Sequence, residues 1–182
     1  MRKIVAGLFV SLDGVVESPE HWNTPHFNDE IGAVLGSQMA AADTMVLGRV
    51  TYEEFAAYWA DKGSDVPFAD AMNGIPKLVA STTLAEADWQ NTNVINGDLV
   101  ARLTELKQQP GKDIITSGSP TLVGSLLRAG LLDELRLLVY PVVVGRGRRI
   151  FENGFEQMSL ELVDARTLSN GVLSLTYVPS PN

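Results

Sequence analysis

Short apolar runs alternate with segments of helical periodicity along most of the chain. Ile4 to Val10 is apolar throughout and stops at Ser11-Leu12-Asp13-Gly14, which predicts a strand buried on both faces and then a turn. A polar loop bounded by Pro19 and Pro25 follows, after which Ile31, Val34, Leu35 and Met39 recur at helical spacing up to Ala42. Thr44 to Leu47 predicts a second strand, closed by Gly48-Arg49, and Thr51 with Glu54 has the spacing of a capping box for a helix through Tyr58. Asp61 to Gly74 mixes Gly, Ser, Asp and Pro and reads mostly as loop. Lys77 to Ala80, Val94-Ile95 and Asp113 to Thr116 are further strands. Between the last two, Leu99, Leu103 and Leu106 mark a helix opened by Asn96. Ser119 is placed to cap another, with Pro120 at its first position and Leu122, Leu126 and Leu127 along it.

The C-terminal part changes character. Leu135 to Val144 is strongly β-branched, Gly145-Arg146-Gly147 turns, and Leu160-Glu161-Leu162 pairs with Val172 to Val178 across Ser169-Asn170-Gly171. The order of elements implies an α/β fold: a mostly parallel sheet with helices on its faces that gains antiparallel strands at its C-terminal end. At 182 residues the chain fits one domain, 1–182.

Composition narrows the chemistry. Fourteen Lys and Arg against twenty-two Asp and Glu leave a net charge of −8, which argues against nucleic-acid and anionic-membrane partners. With no cysteine, disulfides, thiolate metal sites and cysteine nucleophiles are excluded. The first apolar run is too short to span a membrane and lacks a cleavage site, so a cytoplasmic protein is expected. His21 and His26 are the only histidines and have no recurring ligand pattern around them, so no metal is expected. No GxGxxG, Walker-type loop or GxSxG occurs. Arg146, Arg148 and Arg149 lack an aromatic platform and read as the rim of a pocket.

In an open parallel sheet, ligands sit beyond the carboxyl ends of the strands, where helices present free N–H groups and the positive end of their dipoles. Two junctions have that form. At Gly48-Arg49-Val50-Thr51 a glycine allows close approach and Arg49 offers a planar fork for phosphate; at Gly118-Ser119-Pro120-Thr121 a second helix starts the same way. Either alone is better read as a simple helix cap. Together on one edge they suit the diphosphate of a dinucleotide, and Ser81-Thr82 at a third strand end, near Arg49, points to a 2′-phosphate and hence NADP, with a plain turn closing the strand as the equal alternative.

The motifs Leu47-Gly48-Arg49-Val50-Thr51-Tyr52-Glu53, Ser81-Thr82 and Gly118-Ser119 resemble those of dihydrofolate reductase. Ser11-Leu12-Asp13-Gly14, Gly118-Ser119-Pro120-Thr121-Leu122, Leu131-Leu132-Asp133-Glu134-Leu135 and Tyr140 to Gly147 with Phe151 are more similar still to the reductase domain of the bifunctional riboflavin-biosynthesis deaminase-reductase and its stand-alone relatives. The resemblance spans nearly the whole chain. It implies a three-layer α/β/α fold of the dihydrofolate reductase type, NADPH as hydride donor and a homodimer. It carries Gly48, Arg49, Thr51, Ser81, Thr82, Gly118, Ser119, Thr121 and Leu122 over as cofactor-binding, and places the nicotinamide near Asp13, Gly14 and Val16. The acidic residue of dihydrofolate reductase's first long helix has Asp29 near its position, but the longer spacing to Gly48 leaves that role untransferred.

The expected function is reduction of a C=O or C=N bond in a small molecule such as a pterin, a pyrimidine or a riboflavin precursor. Asp13 is the candidate catalytic group, touching substrate or orienting a water, beside its plainer role as a turn residue. Trp22 and Tyr140 are the candidate pocket walls, with core packing and loop anchoring as the alternatives. A non-catalytic nucleotide-binding or assembly module and a true dihydrofolate reductase are the two rival functions.

Overall fold

The computed structural model describes residues 1–152 and 155–180. Its strands are β1 (Ile4–Ser11), β2 (Ala42–Gly48), β3 (Lys77–Ala80), β4 (Thr92–Ile95), β5 (Asp113–Thr116), β6 (Glu134–Tyr140), β7 (Leu160–Thr167) and β8 (Leu173–Pro179). They form one sheet in the order β4-β3-β2-β5-β1-β6-β8-β7. The first six pair in parallel, while β8 runs antiparallel to β6 and β7 antiparallel to β8. The helices among the described residues are α1 (Asp29–Ala41), α2 (Arg49–Trp59), α3 (Ala69–Gly74), α4 (Leu99–Gln108) and α5 (Pro120–Arg128).

Alternation along β1 builds the three layers, because successive side chains point to opposite faces of a strand. Ile4, Ala6, Leu8 and Val10 pack with Leu103 and Leu106 of α4 and with Leu122, Val123, Leu126 and Leu127 of α5. Val5 and its neighbours Met45, Leu47 and Ile115 face the other way, toward Tyr52 of α2 and Met72 of α3. On the same face Ile31 of α1 closes over Leu138 and Tyr140. Both faces of the central strands are covered, which is why β1, β2 and β5 read as unbroken apolar runs.

Several boundaries differ from the sequence pattern. The helix after β2 begins at Arg49, with Gly48 as a cap that has no side chain to offer, so Thr51 sits inside the first turn, buried, and no Thr51–Glu54 capping box forms. Asp98, not Asn96, caps α4 by accepting from the Ala101 N–H at 3.0 Å. The stretch expected as loop contains α3, whose buried Ala69, Met72 and Asn73 are too few to show helical periodicity. The strand expected to run to Val144 stops at Tyr140, because Pro141 has no N–H for a ladder.

The amino ends of the parallel strands are fixed by ion pairs in which at least one partner is buried, and by a buried lysine. Arg2 pairs with Asp43 and donates to Thr44 Oγ1 at 2.8 Å. Lys107 pairs with Asp133 at 2.6 Å, and Lys3 with Glu134 at 2.7 Å. Lys77, fully buried, donates from Nζ to the Met72 and Ile75 carbonyls at 2.8 Å each and lies over the Trp89 ring. It terminates α3 in the way a C-terminal cation favours. All of these lie at the end of the sheet opposite the carboxyl ends of the strands.

Candidate active site

At the carboxyl ends, β3, β2 and β5 lie side by side and bring two helix starts into contact. The Gly48 N–H donates to the Gly118 carbonyl at 3.3 Å. A Cβ on Gly48 would lie 2.7 Å from Ser119 Oγ and 3.2 Å from Ser119 N; one on Gly118, whose φ is +133°, would lie 3.1 Å from Thr51 Oγ1. Only glycines allow this approach. No side chain caps α2, so its first-turn N–H groups point out beside Arg49; α5 is capped weakly, Ser119 Oγ accepting from the Leu122 N–H at 3.4 Å. The Arg49 guanidinium donates to both oxygens of Glu53, at 2.9 and 2.8 Å. Arg148 reaches the other start, donating to Thr121 Oγ1 at 2.8 Å. Arg148 also donates from Nε to Glu152 at 3.0 Å, so both guanidinium groups are paired with carboxylates, and the uncapped N–H groups of α2 together with the two helix dipoles make the cradle favourable to an anionic group.

Ser81 follows Ala80, which pairs with Gly48, so it borders this cradle. Its Oγ accepts from the Thr83 and Leu84 N–H groups at 3.1 and 2.9 Å, and Thr82 stands exposed beside it. One step beyond the Ala80–Ile95 pair, an open groove of about 540 Å³ runs from Asn93 to Asp98 and Arg102. It was not legible in the sequence because its polar residues look like ordinary loop.

Asp13 is a clasp. Its carboxylate accepts from Ser11 Oγ at 2.7 Å and from the N–H groups of Val144 and Gly145 at 3.0 and 2.9 Å, tying the first loop to the turn after β6. The Ser11 hydroxyl and these two N–H groups hold its pKa down to about 2, so it gives up no proton near neutral pH. Gly14 (φ +86°) and Val16 continue the clasp: the Ile150 N–H donates to the Gly14 carbonyl, and the Val16 N–H to the Arg148 carbonyl.

Tyr140 is fully buried, ringed edge-on by Phe9, Trp22 and His26 at 5.9, 5.5 and 5.9 Å between centroids. Its hydroxyl has no hydrogen-bond partner among the described residues, and burial pushes its pKa up to about 12. Trp22 is anchored through Nε1, which donates to the Glu17 carbonyl at 3.1 Å. Neither residue lines the cavity on this face, so the two candidate pocket walls are core and anchor instead.

That cavity, a small one of about 60 Å³, lies between α1 and the sheet. Gly7 and Phe9 of β1, Leu35 and Gln38 of α1, Arg136 and Leu138 of β6, Ser174 and Thr176 of β8, and Ser117 line it. Gly7 makes the room: a Cβ there would meet Gln38 Oε1 at 2.9 Å. Ser117 is bonded to Gly118, so the mouth of the cavity and the cradle are neighbours along the chain. Asp29 is exposed at the first turn of α1 and does not line it, and among the described residues that do, none is a carboxylate.

The layered sheet, its antiparallel tail and the paired helix starts define a protein of the dihydrofolate reductase-like fold. The chain belongs to the RibD C-terminal domain family, which matches residues 2–174. Among curated proteins it is 30% identical to the uncharacterised protein YyaP of Bacillus subtilis, over 97% of this chain and 94% of that one. It is 28% identical to YwjB of the same organism, over 97% and 98%. The fold is shared with a putative riboflavin biosynthesis protein from Shewanella (TM-score 0.80, 19% identity, 98% and 99% coverage). It is shared also with dihydrofolate reductase from Enterococcus faecalis, solved with NADP(H) (TM-score 0.66, 14% identity, 98% and 97% coverage). Among the described residues no helix is long and apolar enough to cross a membrane.

Proposed function

We propose that the chain is an NADPH-dependent reductase acting on a C=O or C=N bond of a small molecule held beneath α1. The observation that carries this reading is the contact between the α2 and α5 starts, one peptide bond from a wall of the cavity. Gly48, Arg49 and Thr51 on one side and Gly118, Ser119, Thr121 and Leu122 on the other would hold the diphosphate, Arg49 with Ser81 and Thr82 the 2′-phosphate, and Gly14 and Val16 the edge of the nicotinamide. When bound, NADPH supplies the hydride. The chain's own work is orientation and exclusion of water by the apolar walls Phe9, Leu35 and Leu138. With Asp13 ionised and Tyr140 buried and neutral, the proton comes from water at the cavity mouth. A carboxylate-free cavity also speaks against dihydrofolate reduction.

Titration of NADPH and NADH followed by nucleotide fluorescence tests the reading. NADPH binds tighter, and Arg49→Ala, which removes the fork beside Glu53, weakens NADPH far more than NADH. Equal losses would show that Arg49 reads no extra phosphate, and indifference to both nucleotides would end the reductase assignment. The lack of a proton donor in the cavity also favours a second reading, a nucleotide-binding module without turnover. Tight NADPH binding with no nucleotide oxidation across carbonyl, pterin and pyrimidine panels would establish it.

A further inference from the structure

An asparagine followed by glycine is open to self-modification, because glycine has no Cβ to keep its backbone nitrogen away from the neighbouring amide carbon. The sequence holds four such steps, Asn73-Gly74, Asn96-Gly97, Asn153-Gly154 and Asn170-Gly171, and the described residues include all but the third. The fold restrains these three unequally. Asn73 is buried in α3, where its Nδ2 donates to the Trp59 and Lys62 carbonyls at 3.1 Å each and its Oδ1 accepts from Trp89 Nε1 at 2.6 Å. Asn170 is held at both ends of its amide, Nδ2 donating to the His26 carbonyl and Oδ1 accepting from the Val172 N–H at 3.1 Å. The Gly171 N–H is occupied as well, donating to the Leu168 carbonyl at 3.0 Å.

Asn96-Gly97 has none of these restraints. It lies between β4 and α4, and both residues are exposed. Among the described residues, neither the Asn96 amide nor the Gly97 N–H has a hydrogen-bond partner. A Cβ built on Gly97 would meet nothing within 4 Å, so no neighbour hinders rotation of this peptide toward the side chain. The next residue, Asp98, caps α4 by accepting from the Ala101 N–H at 3.0 Å. The step therefore stands at the entrance of a helix and on the wall of the groove that reaches Arg102.

We propose that Asn96 is a site of spontaneous deamidation in the folded chain, a modification that puts a carboxylate and a lengthened backbone in front of α4. The Gly97 backbone nitrogen gives up its proton and attacks Asn96 Cγ; a C–N bond forms, Nδ2 leaves as ammonia, and a succinimide ring closes. Water then opens the ring. Attack at Cγ gives aspartate, and attack at the main-chain carbonyl carbon gives isoaspartate, in which the chain runs through Cβ and Cγ and is longer by a CH2. Water enters and ammonia departs, with no oxidant or reductant. Either product adds negative charge just before the cap, and isoaspartate shifts the approach of Asp98 to the Ala101 N–H. The chemistry needs neither nucleotide nor substrate, so it holds whatever the cradle binds.

Ageing the full chain at mildly alkaline pH, followed by mass spectrometry of tryptic peptides, tests it. Asn73, Asn96 and Asn170 fall in separate tryptic peptides, and conversion is read in each as the mass gain of an amide exchanged for an acid. In the folded chain Asn96 converts roughly tenfold faster or more than the other two, which react only when their segments open. In concentrated urea the three rates come together. Gly97→Ala, at an exposed position, keeps the fold and slows conversion of Asn96, because the added methyl hinders the attacking nitrogen. In the isoaspartyl fraction, separated by ion exchange, hydrogen exchange at Ala101 quickens. Asn96 left intact in the folded chain, equal rates at Asn96 and Asn170, or an unchanged rate in Gly97→Ala would overturn the proposal, and unchanged exchange at Ala101 would overturn its effect on α4.

Discussion

Replacing Tyr140 with Phe isolates the energetics of one atom. The ring stays in contact with Phe9, Trp22 and His26, and only a hydroxyl with no partner is lost. A buried polar group without a hydrogen bond costs about 1–3 kcal/mol, so Tyr140→Phe stabilises the fold, by about 1–2 kcal/mol after the small void is counted. At this chain length that raises Tm by about 2–8 °C. The gain depends on pH. The folded pKa of Tyr140 is about 12 against an ordinary 10.0, so between those values the unfolded chain loses its proton first and the wild type loses stability as pH rises. Below pH 10 that contribution is fully present. Allowing for screening, the gap between variant and wild type widens by a further ~1–2 kcal/mol on going from about pH 9 to about pH 12. Urea unfolding at both pH values, followed by far-ultraviolet circular dichroism, measures both quantities. A variant less stable than wild type at neutral pH would show that the hydroxyl is satisfied, and parallel alkaline losses would show that it does not titrate with folding.

Lys77→Met leaves the Met72 and Ile75 carbonyls unpaired at the end of α3 and should destabilise by about 1–3 kcal/mol in urea unfolding at neutral pH. Burial lowers the Lys77 pKa to about 8 from 10.5, so the wild type gains stability relative to this variant as pH rises from 8 to 10.5, where only the unfolded chain still holds the proton. In Asp13→Asn, hydrogen exchange at Val144 and Gly145 should quicken, whereas in the wild type both stay protected until pH falls from 3.8 toward 2; unchanged exchange would show that the clasp is not made. Leu162 and Val163 on the edge strand β7 are 49% and 52% exposed, and a homodimer would cover them, so light scattering at micromolar concentration should give twice 19.7 kDa; Leu162→Lys should return the monomer.

The parallel core was legible because each of its strands is a short apolar run closed by a turn residue. Lys77–Ala80 and Asp113–Thr116 lie where the pattern places them, and Ser119 with Pro120 opens α5 as expected. The meeting of the Arg49 and Ser119 helix starts was expected from the like form of the Gly48-Arg49 and Gly118-Ser119 junctions, and the Gly48 N–H does reach the Gly118 carbonyl. What stayed hidden depends on packing between distant segments. Gly7, Gln38, Arg136 and Thr176 are unremarkable in their own stretches and form a cavity only when α1 lies across β1, β6 and β8. Trp22 was visible as a loop aromatic and Tyr140 as an aromatic at a strand end, but burial, not position, decides that Tyr140 belongs to the core. Asp13 carries the residue type of a catalytic group and the contacts of a turn, and only the three donors around it distinguish the two.

The ionic fixings gathered at the amino edge of the sheet leave the opposite edge free to vary. A substitution in the loops at that opposite edge leaves the fixings made by Arg2, Lys77 and Lys107 untouched. Arg136 breaks that independence. Its anchor, Glu134, also belongs to the Lys3 pair, so a lineage that gives up the guanidinium must rebalance a structural ion pair in the same step.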